Sequence, residues 1–147
     1  MKLVDANVLL YAGNQDAPSH LTAKSWLDNS LRGVETILFP WISLDAFVRV
    51  SMNPNVFPFP LTLDQAFDLV DHWLGAPAAK VAHEAPGHAS LVRKMMRTAG
   101  GGASLVNDAH LAALAVTHGA QVVSFDRDFD RFAEVQRYEP VWIDGTA

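Results

Sequence analysis

The sequence predicts an α/β fold in which a central, mostly parallel sheet is flanked by helices on both faces. Three observations carry this. Short apolar runs alternate with longer amphipathic ones along the chain, the pattern of strand–helix repeats. The chain has 147 residues, 50% of them hydrophobic, which suits one domain over 1–147 with a core of its own. Acids also end two of the predicted strands, at the edge where open α/β sheets hold their ligands.

Leu3-Val4 is a short buried strand ended by Asp5, and Asn7 to Ala12 is apolar enough to open a helix that packs at once. Ser19 is placed to cap a helix from His20 to about Leu31, with Gly33 as its stop. Glu35 to Phe39 reads as the second strand, ended by Pro40. Leu44, Phe47, Val48 and Val50 then give a helix over Ser43–Met52. The prolines at 54, 58 and 60 make the next segment a stiff apolar loop. Thr62 and Gln65 form a capping box for a helix to about Leu74. Lys80–His83 is a third strand and Gly87–Thr98 a helix. Gly100-Gly101-Gly102 is expected as a flexible hinge before a helix that ends near Gly119. A strand at 121–124, a short helix at Phe129–Phe132 and a terminal strand near Val141–Ile143 complete the chain. Right-handed crossovers put Asp5 and Asp126 on the same sheet edge. They meet only if the first and fourth strands are neighbours.

Composition excludes several classes. There is no cysteine, hence no disulfide framework, thiolate zinc site or thiol nucleophile. No apolar run approaches the roughly 20 residues that span a bilayer, and Asp5 interrupts the N-terminus before a signal core forms, so a soluble, cytoplasmic protein without a membrane partner is expected. The net charge of −5 gives no overall basic field for nucleic acid. Arg93, Lys94 and Arg97 nevertheless cluster on one helical stretch, either as an ordinary solvated face or as a grip on a phosphate backbone.

Asp5, Asp108 and Asp126 are the candidate chemistry. Alone, Asp5 reads as a helix N-cap and Asp108 as an acid complementing a helix dipole. Brought together, they form a patch that needs a cation, and hard divalent ions such as Mg²⁺ or Mn²⁺ answer that need. Asp128 either supports Asp126 or caps the turn at Phe129, and the cap is preferred. Ser124 either orients a carboxylate or phosphate or bonds backbone. Asn7 either braces Asp5 or belongs to the turn. The triple glycine lacks a following Gly-Lys-Ser/Thr and is no phosphate loop. The six histidines show no zinc-like spacing and are read as structural. Trp26, Trp73 and Trp142 are expected in the core, and Trp41 is the best candidate for an exposed stacking platform.

Leu3-Val4-Asp5-Ala6-Asn7-Val8-Leu9, Val106-Asn107-Asp108-Ala109-His110-Leu111 and Val123-Ser124-Phe125-Asp126-Arg127-Asp128-Phe129, in this order and spacing, resemble a PIN-domain ribonuclease of the VapC-toxin type. The resemblance covers nearly the whole chain and implies a PIN-like three-layer sandwich. It also implies a Mg²⁺- or Mn²⁺-dependent endoribonuclease that cleaves structured RNA such as tRNA or rRNA, forms a homodimer and is paired with a cognate VapB-type antitoxin. Asp5, Asp108 and Asp126 fall on three of the family's acidic positions. The fourth, a glutamate in the helix after the second strand, aligns with Ala46, and Asp45 stands one residue earlier. One helical step turns a side chain by about 100°, and aspartate is shorter, so Asp45 is expected to reach a metal only through water. Two rival readings stand beside this one: an aspartyl phosphohydrolase, whose Asp-x-Asp is missing after Asp5, and a PIN-like module that binds RNA or a partner without cleaving.

Overall fold

The computed structural model describes residues 1–144. Five strands, β1 (Lys2–Val4), β2 (Ile37–Pro40), β3 (Ala79–Ala82), β4 (Gln121–Val123) and β5 (Arg137–Tyr138), form one sheet in the order β3-β2-β1-β4-β5. Every pairing is parallel. Six helices connect and cover them: α1 (Ala6–Gly13), α2 (His20–Leu31), α3 (Trp41–Ser51), α4 (Leu63–Leu74), α5 (His88–Ala99) and α6 (Val106–His118). The first and fourth strands are direct neighbours, with Leu3 opposite Val122 and Val4 opposite Val123.

The side-chain alternation of the strands divides the core in two. Val4, Ile37, Phe39 and Val123 point to one face and pack with α1 to α4 through Leu9, Leu27, Phe47 and Trp73. Leu3, Leu38 and Val122 point to the other, where Met95 of α5 and the alanine-rich face of α6 cover them. Small side chains at Ala109, Ala112 and Ala113 let α6 approach the sheet closely, and all three are fully buried. The three layers follow from this two-sided burial.

Most elements begin or end within two residues of their expected positions. The Thr62–Gln65 capping box forms in both directions, at 3.2 and 2.9 Å. Four expectations are corrected. Ser19 makes no cap; it sits in the left-handed region at φ 59, and its side chain bonds no helix amide. The glycine triplet builds a turn instead of a free hinge: Gly100 ends α5 at φ 66, and the amides of Gly100 and Gly101 bond back to Arg97 and Met96. The terminal strand is Arg137–Tyr138, since the carbonyls of Gln136 and Tyr138 accept from Val122 and Ser124 and Pro140 has no amide to extend the ladder. Trp142 therefore lies beyond the sheet and is half exposed, whereas Trp26 and Trp73 are buried as expected.

Phe47 locks α3 onto the sheet, edge-on to Trp73 at 4.8 Å and with no exposed surface. Phe47→Ala is expected to cost about 3–5 kcal/mol, read as a lowered midpoint in denaturant unfolding. A loss below about 1 kcal/mol would mean that α3 is anchored elsewhere.

Candidate functional site

Because β1 and β4 are adjacent and parallel, the residues that follow them meet at one edge. Asp5 leaves β1 with its amide still bonded to the Val123 carbonyl at 3.0 Å, then turns into α1 as its N-cap. Its Oδ1 accepts from the Ala6 amide at 2.7 Å and its Oδ2 from the Ser124 hydroxyl at 2.7 Å. Ser124, fully buried after β4, accepts in return from Asn7 Nδ2 at 3.1 Å and from the Asp126 amide at 2.9 Å. The hydroxyl thus uses its one donor and both acceptor sites, and it joins the β1–α1 turn to the turn after β4. Of its two possible roles, Ser124 takes the one that orients a carboxylate. Asn7 braces Asp5 through Ser124, and its Oδ1 also accepts from the Phe125 amide.

Asp126 caps the 3₁₀ turn Arg127–Arg131 by accepting the Asp128 amide at 2.9 Å. The capping role preferred for Asp128 therefore belongs to Asp126, and the Asp128 carboxylate is left exposed and free of hydrogen bonds. Asp108 enters from the first turn of α6. Carboxylate oxygens of Asp108, Asp126 and Asp128 lie within 4.8 Å of one another. Asp5 stands outside this triple, half-buried behind it and held by Ser124, yet its charge is felt at Asp108.

Burial, then the charges of Asp5, Asp126 and Asp128, push the Asp108 carboxyl up from the ordinary 3.8 to about 6. Burial also raises Asp5, opposed by its bonds from Ser124 and Ala6 and reinforced by Asp126. Among the described residues no Lys or Arg pairs with any of these four acids. Arg137, whose importance the sequence did not signal, braces the same turn by donating to the Ser124 carbonyl at 3.2 Å, and its charge is taken by Asp130 and Glu139. Arg131 reaches the Ala99 carbonyl instead. An oxygen-only donor set, converging and without a protein cation, fits a hard divalent ion that keeps part of its water shell.

The other candidates lie on separate elements. Asp45 is exposed on α3 and is not among the converging carboxylates. Arg93, Lys94 and Arg97 are exposed on α5, and Arg93 and Arg97 line a shallow groove of about 450 Å³ floored by Val92 and Met96. Trp41, 51% exposed, opens α3 directly after β2 and so stands at the carboxylate edge. His88 and His110, read as structural, meet at 2.8 Å and tie α5 to α6, with Glu84 at 3.4 Å from the far side of His110. A larger cavity, about 640 Å³, lies between the C-terminal ends of α2 and α4 on the opposite edge of the sheet, away from the acids.

The family model for the PIN domain matches residues 2–135. The chain belongs to the PIN-domain family. It is 46% identical over 140 residues to Ribonuclease VapC37 of Mycobacterium tuberculosis, a match covering 95% of this chain and 97% of that protein. Ribonuclease VapC31 of the same species is 38% identical, with 95% and 99% covered. These relatives place it among the VapC-type PIN proteins. Two solved PIN-type structures share the fold: VapBC2 from Rickettsia felis bound to a DNA fragment from their promoter, with TM-score 0.68, 17% identity and 95% and 98% coverage, and FitAcB from Neisseria gonorrhoeae, with TM-score 0.62, 20% identity and 94% and 96% coverage. Among the described residues no helix is long and apolar enough to cross a membrane.

The raised Asp108 carboxyl fixes the sign of a pH dependence. Its folded value of about 6 exceeds the ordinary 3.8, so the folded state holds the proton more tightly and stability falls as pH rises through that window. In metal-free buffer, Asp108→Asn is expected to flatten the fall in urea midpoint between about pH 4 and pH 7. An unaltered pH profile in the variant would remove Asp108 as the acid that senses its neighbours.

Proposed function

We propose that this protein is a divalent-metal-dependent endoribonuclease acting as the toxin of a VapBC-type pair, with residues 1–147 as a single PIN domain. The observation that carries the reading is the meeting of Asp108, Asp126 and Asp128 within 4.8 Å, backed by the Ser124-held Asp5, in a chain 46% identical to a VapC ribonuclease.

Asp5, Asp108 and Asp126 would hold Mg²⁺ or Mn²⁺, which supplies the positive charge that phosphodiester hydrolysis needs. Ser124 keeps Asp5 in one orientation, and Asp126 keeps the turn closed by holding the Asp128 amide. Asp108, raised to about 6 by burial and its acidic neighbours, would be held ionised by a bound divalent cation, which offsets that burial and repulsion. The acids lie at an open edge, which suits a polymer. Arg93, Lys94 and Arg97 contact its phosphates, and Trp41 offers a ring on which a base can stack. The substrate is structured RNA, of the tRNA or rRNA class.

The Rickettsia felis protein was solved as VapBC2, and by analogy this chain pairs with a VapB-type antitoxin; the homodimer rests on the family resemblance alone. Phe59, Leu63 and Phe67, 76%, 57% and 44% exposed, are apolar surface suited to burial by such partners. An aspartyl-phosphate enzyme is disfavoured, since the Asp-x-Asp it would carry is missing after Asp5, where Ala6-Asn7 follow. A module that binds without cleaving is favoured only by Ala46, where the family's helix carboxylate is missing.

Asp5→Ala and Asp108→Ala are each expected to abolish cleavage of a structured RNA and growth inhibition on expression, while circular dichroism shows a retained fold. Chelation with EDTA should stop the unmodified protein, and Mg²⁺ or Mn²⁺ should restore it. Cleavage that persists in either variant, or in EDTA, contradicts the reading.

A further inference from the structure

The ladder between β4 and β5 stops one hydrogen bond short, and the group it leaves free lies at the root of the acidic turn. In a parallel ladder a residue donates to one residue of the neighbouring strand and accepts from the residue two further on. Val122 and Ser124 donate to the carbonyls of Gln136 and Tyr138. By the same register the Ser124 carbonyl would accept from residue 140, which is a proline and has no amide. Arg137 takes that carbonyl instead, with Nη1 at 3.2 Å. The rest of its guanidinium reaches across the turn, where Nε and Nη2 donate to the two oxygens of Asp130 at 3.0 and 3.4 Å. One planar group thus bonds both ends of the segment 124–130, which carries Asp126 and Asp128. Resting on the metal-dependent reading above, we propose that Arg137 is a positioning residue of the site, a clamp on this turn that keeps Asp126 within reach of Asp5 and Asp108 for a divalent cation.

The charges around the clamp support this role. The guanidinium is offset by Asp130 and, through Nη1, by Glu139 at 3.0 Å, so it forms no ion pair with Asp126 or Asp128. It fixes the turn without competing with a metal for the acids. That turn brings Asp126 and Asp128 within 4.8 Å of Asp108, and the mutual repulsion of the three acts to open it. The Asp126 cap on the Asp128 amide, at 2.9 Å, and the buried ring of Phe129 hold its middle; Arg137 holds its ends. The Arg137 side chain is only 14% exposed, so water competes little for these bonds. A rigid fork of donors meets a carbonyl and a carboxylate together, and lysine, a compact point charge, does not reproduce that geometry. An ordinary ion pair on an edge strand would stabilise β5 slightly and leave the acids where they are.

The test is Mn²⁺ binding by the full chain, read from the free-ion EPR signal at neutral pH, for the unmodified protein and for Arg137→Lys, Asp130→Ala and Glu139→Gln. Arg137→Lys keeps the charge, and Asp130→Ala removes an exposed carboxylate whose bonds are to Arg137, so both keep the fold, which a thermal melt without metal checks. Each is expected to bind Mn²⁺ about tenfold more weakly or worse, the scale on which groups behind metal ligands act. In RNA cleavage at fixed Mn²⁺, kcat should fall by a similar factor with KM unchanged, and excess Mn²⁺ should restore it. Glu139→Gln, which leaves both ends of the turn held, should bind Mn²⁺ like the unmodified protein. If Arg137→Lys or Asp130→Ala binds Mn²⁺ like the unmodified protein, or if Glu139→Gln is weakened as much as they are, the clamp is overturned and the metal-dependent reading stands. If the unmodified protein does not bind Mn²⁺, both fall.

Discussion

The Ser124 hydroxyl, buried between two parallel strands, is the interaction on which the acidic edge depends. It donates to Asp5 and accepts from Asn7 and from the Asp126 amide, so one atom sets the relative position of two turns that are 119 residues apart in the chain. The pairing of β1 with β4 makes that contact possible, because it places Asp5 and Ser124 at the ends of neighbouring strands. Acids gathered this way repel one another, and the fold holds them through burial on both sheet faces and through the bonds that Ser124, Ala6 and Asp128 make to their oxygens and backbone. Burial first, and then the charges of Asp5, Asp126 and Asp128, raise the Asp108 carboxyl to about 6.

Much of this was legible in the sequence, for reasons that differ by element. The alternation of short apolar runs with amphipathic ones gave the α/β class, and the Thr62–Gln65 pair specified a helix start by chemistry local to four residues. Asp5 and Asp108 could be named from their positions beside a strand and in a first helical turn. What could not be read was any partner chosen by tertiary contact. Arg137 and the His88–His110 pair have no local pattern, and they gain meaning only when β5 joins β4 and α5 packs on α6. The Asp126-x-Asp128 spacing was visible, but which of the two acids caps the turn depends on the direction in which the chain leaves β4. Val141–Ile143 looked more like a strand than Arg137–Tyr138 because its side chains are more apolar, yet the ladder to β4 and the missing amide of Pro140 selected the earlier residues.

The sheet order matches what the PIN resemblance implies, while α3 presents Ala46 where that resemblance implies a carboxylate. The proposed site draws its acids from the end of β1, from α6 and from the turn after β4, leaving α3 to contribute Trp41 and packing through Phe47.

The central claim is that the four acids at this edge exist to hold a divalent cation, and anomalous scattering from crystals grown with Mn²⁺ tests it most directly. The account predicts one anomalous peak bounded by the carboxylates of Asp5, Asp108 and Asp126, with oxygens about 2.1 Å away as a small hard cation requires. No peak at this edge in crystals at neutral pH, or a peak on Asp45 and the α3 side, would contradict it.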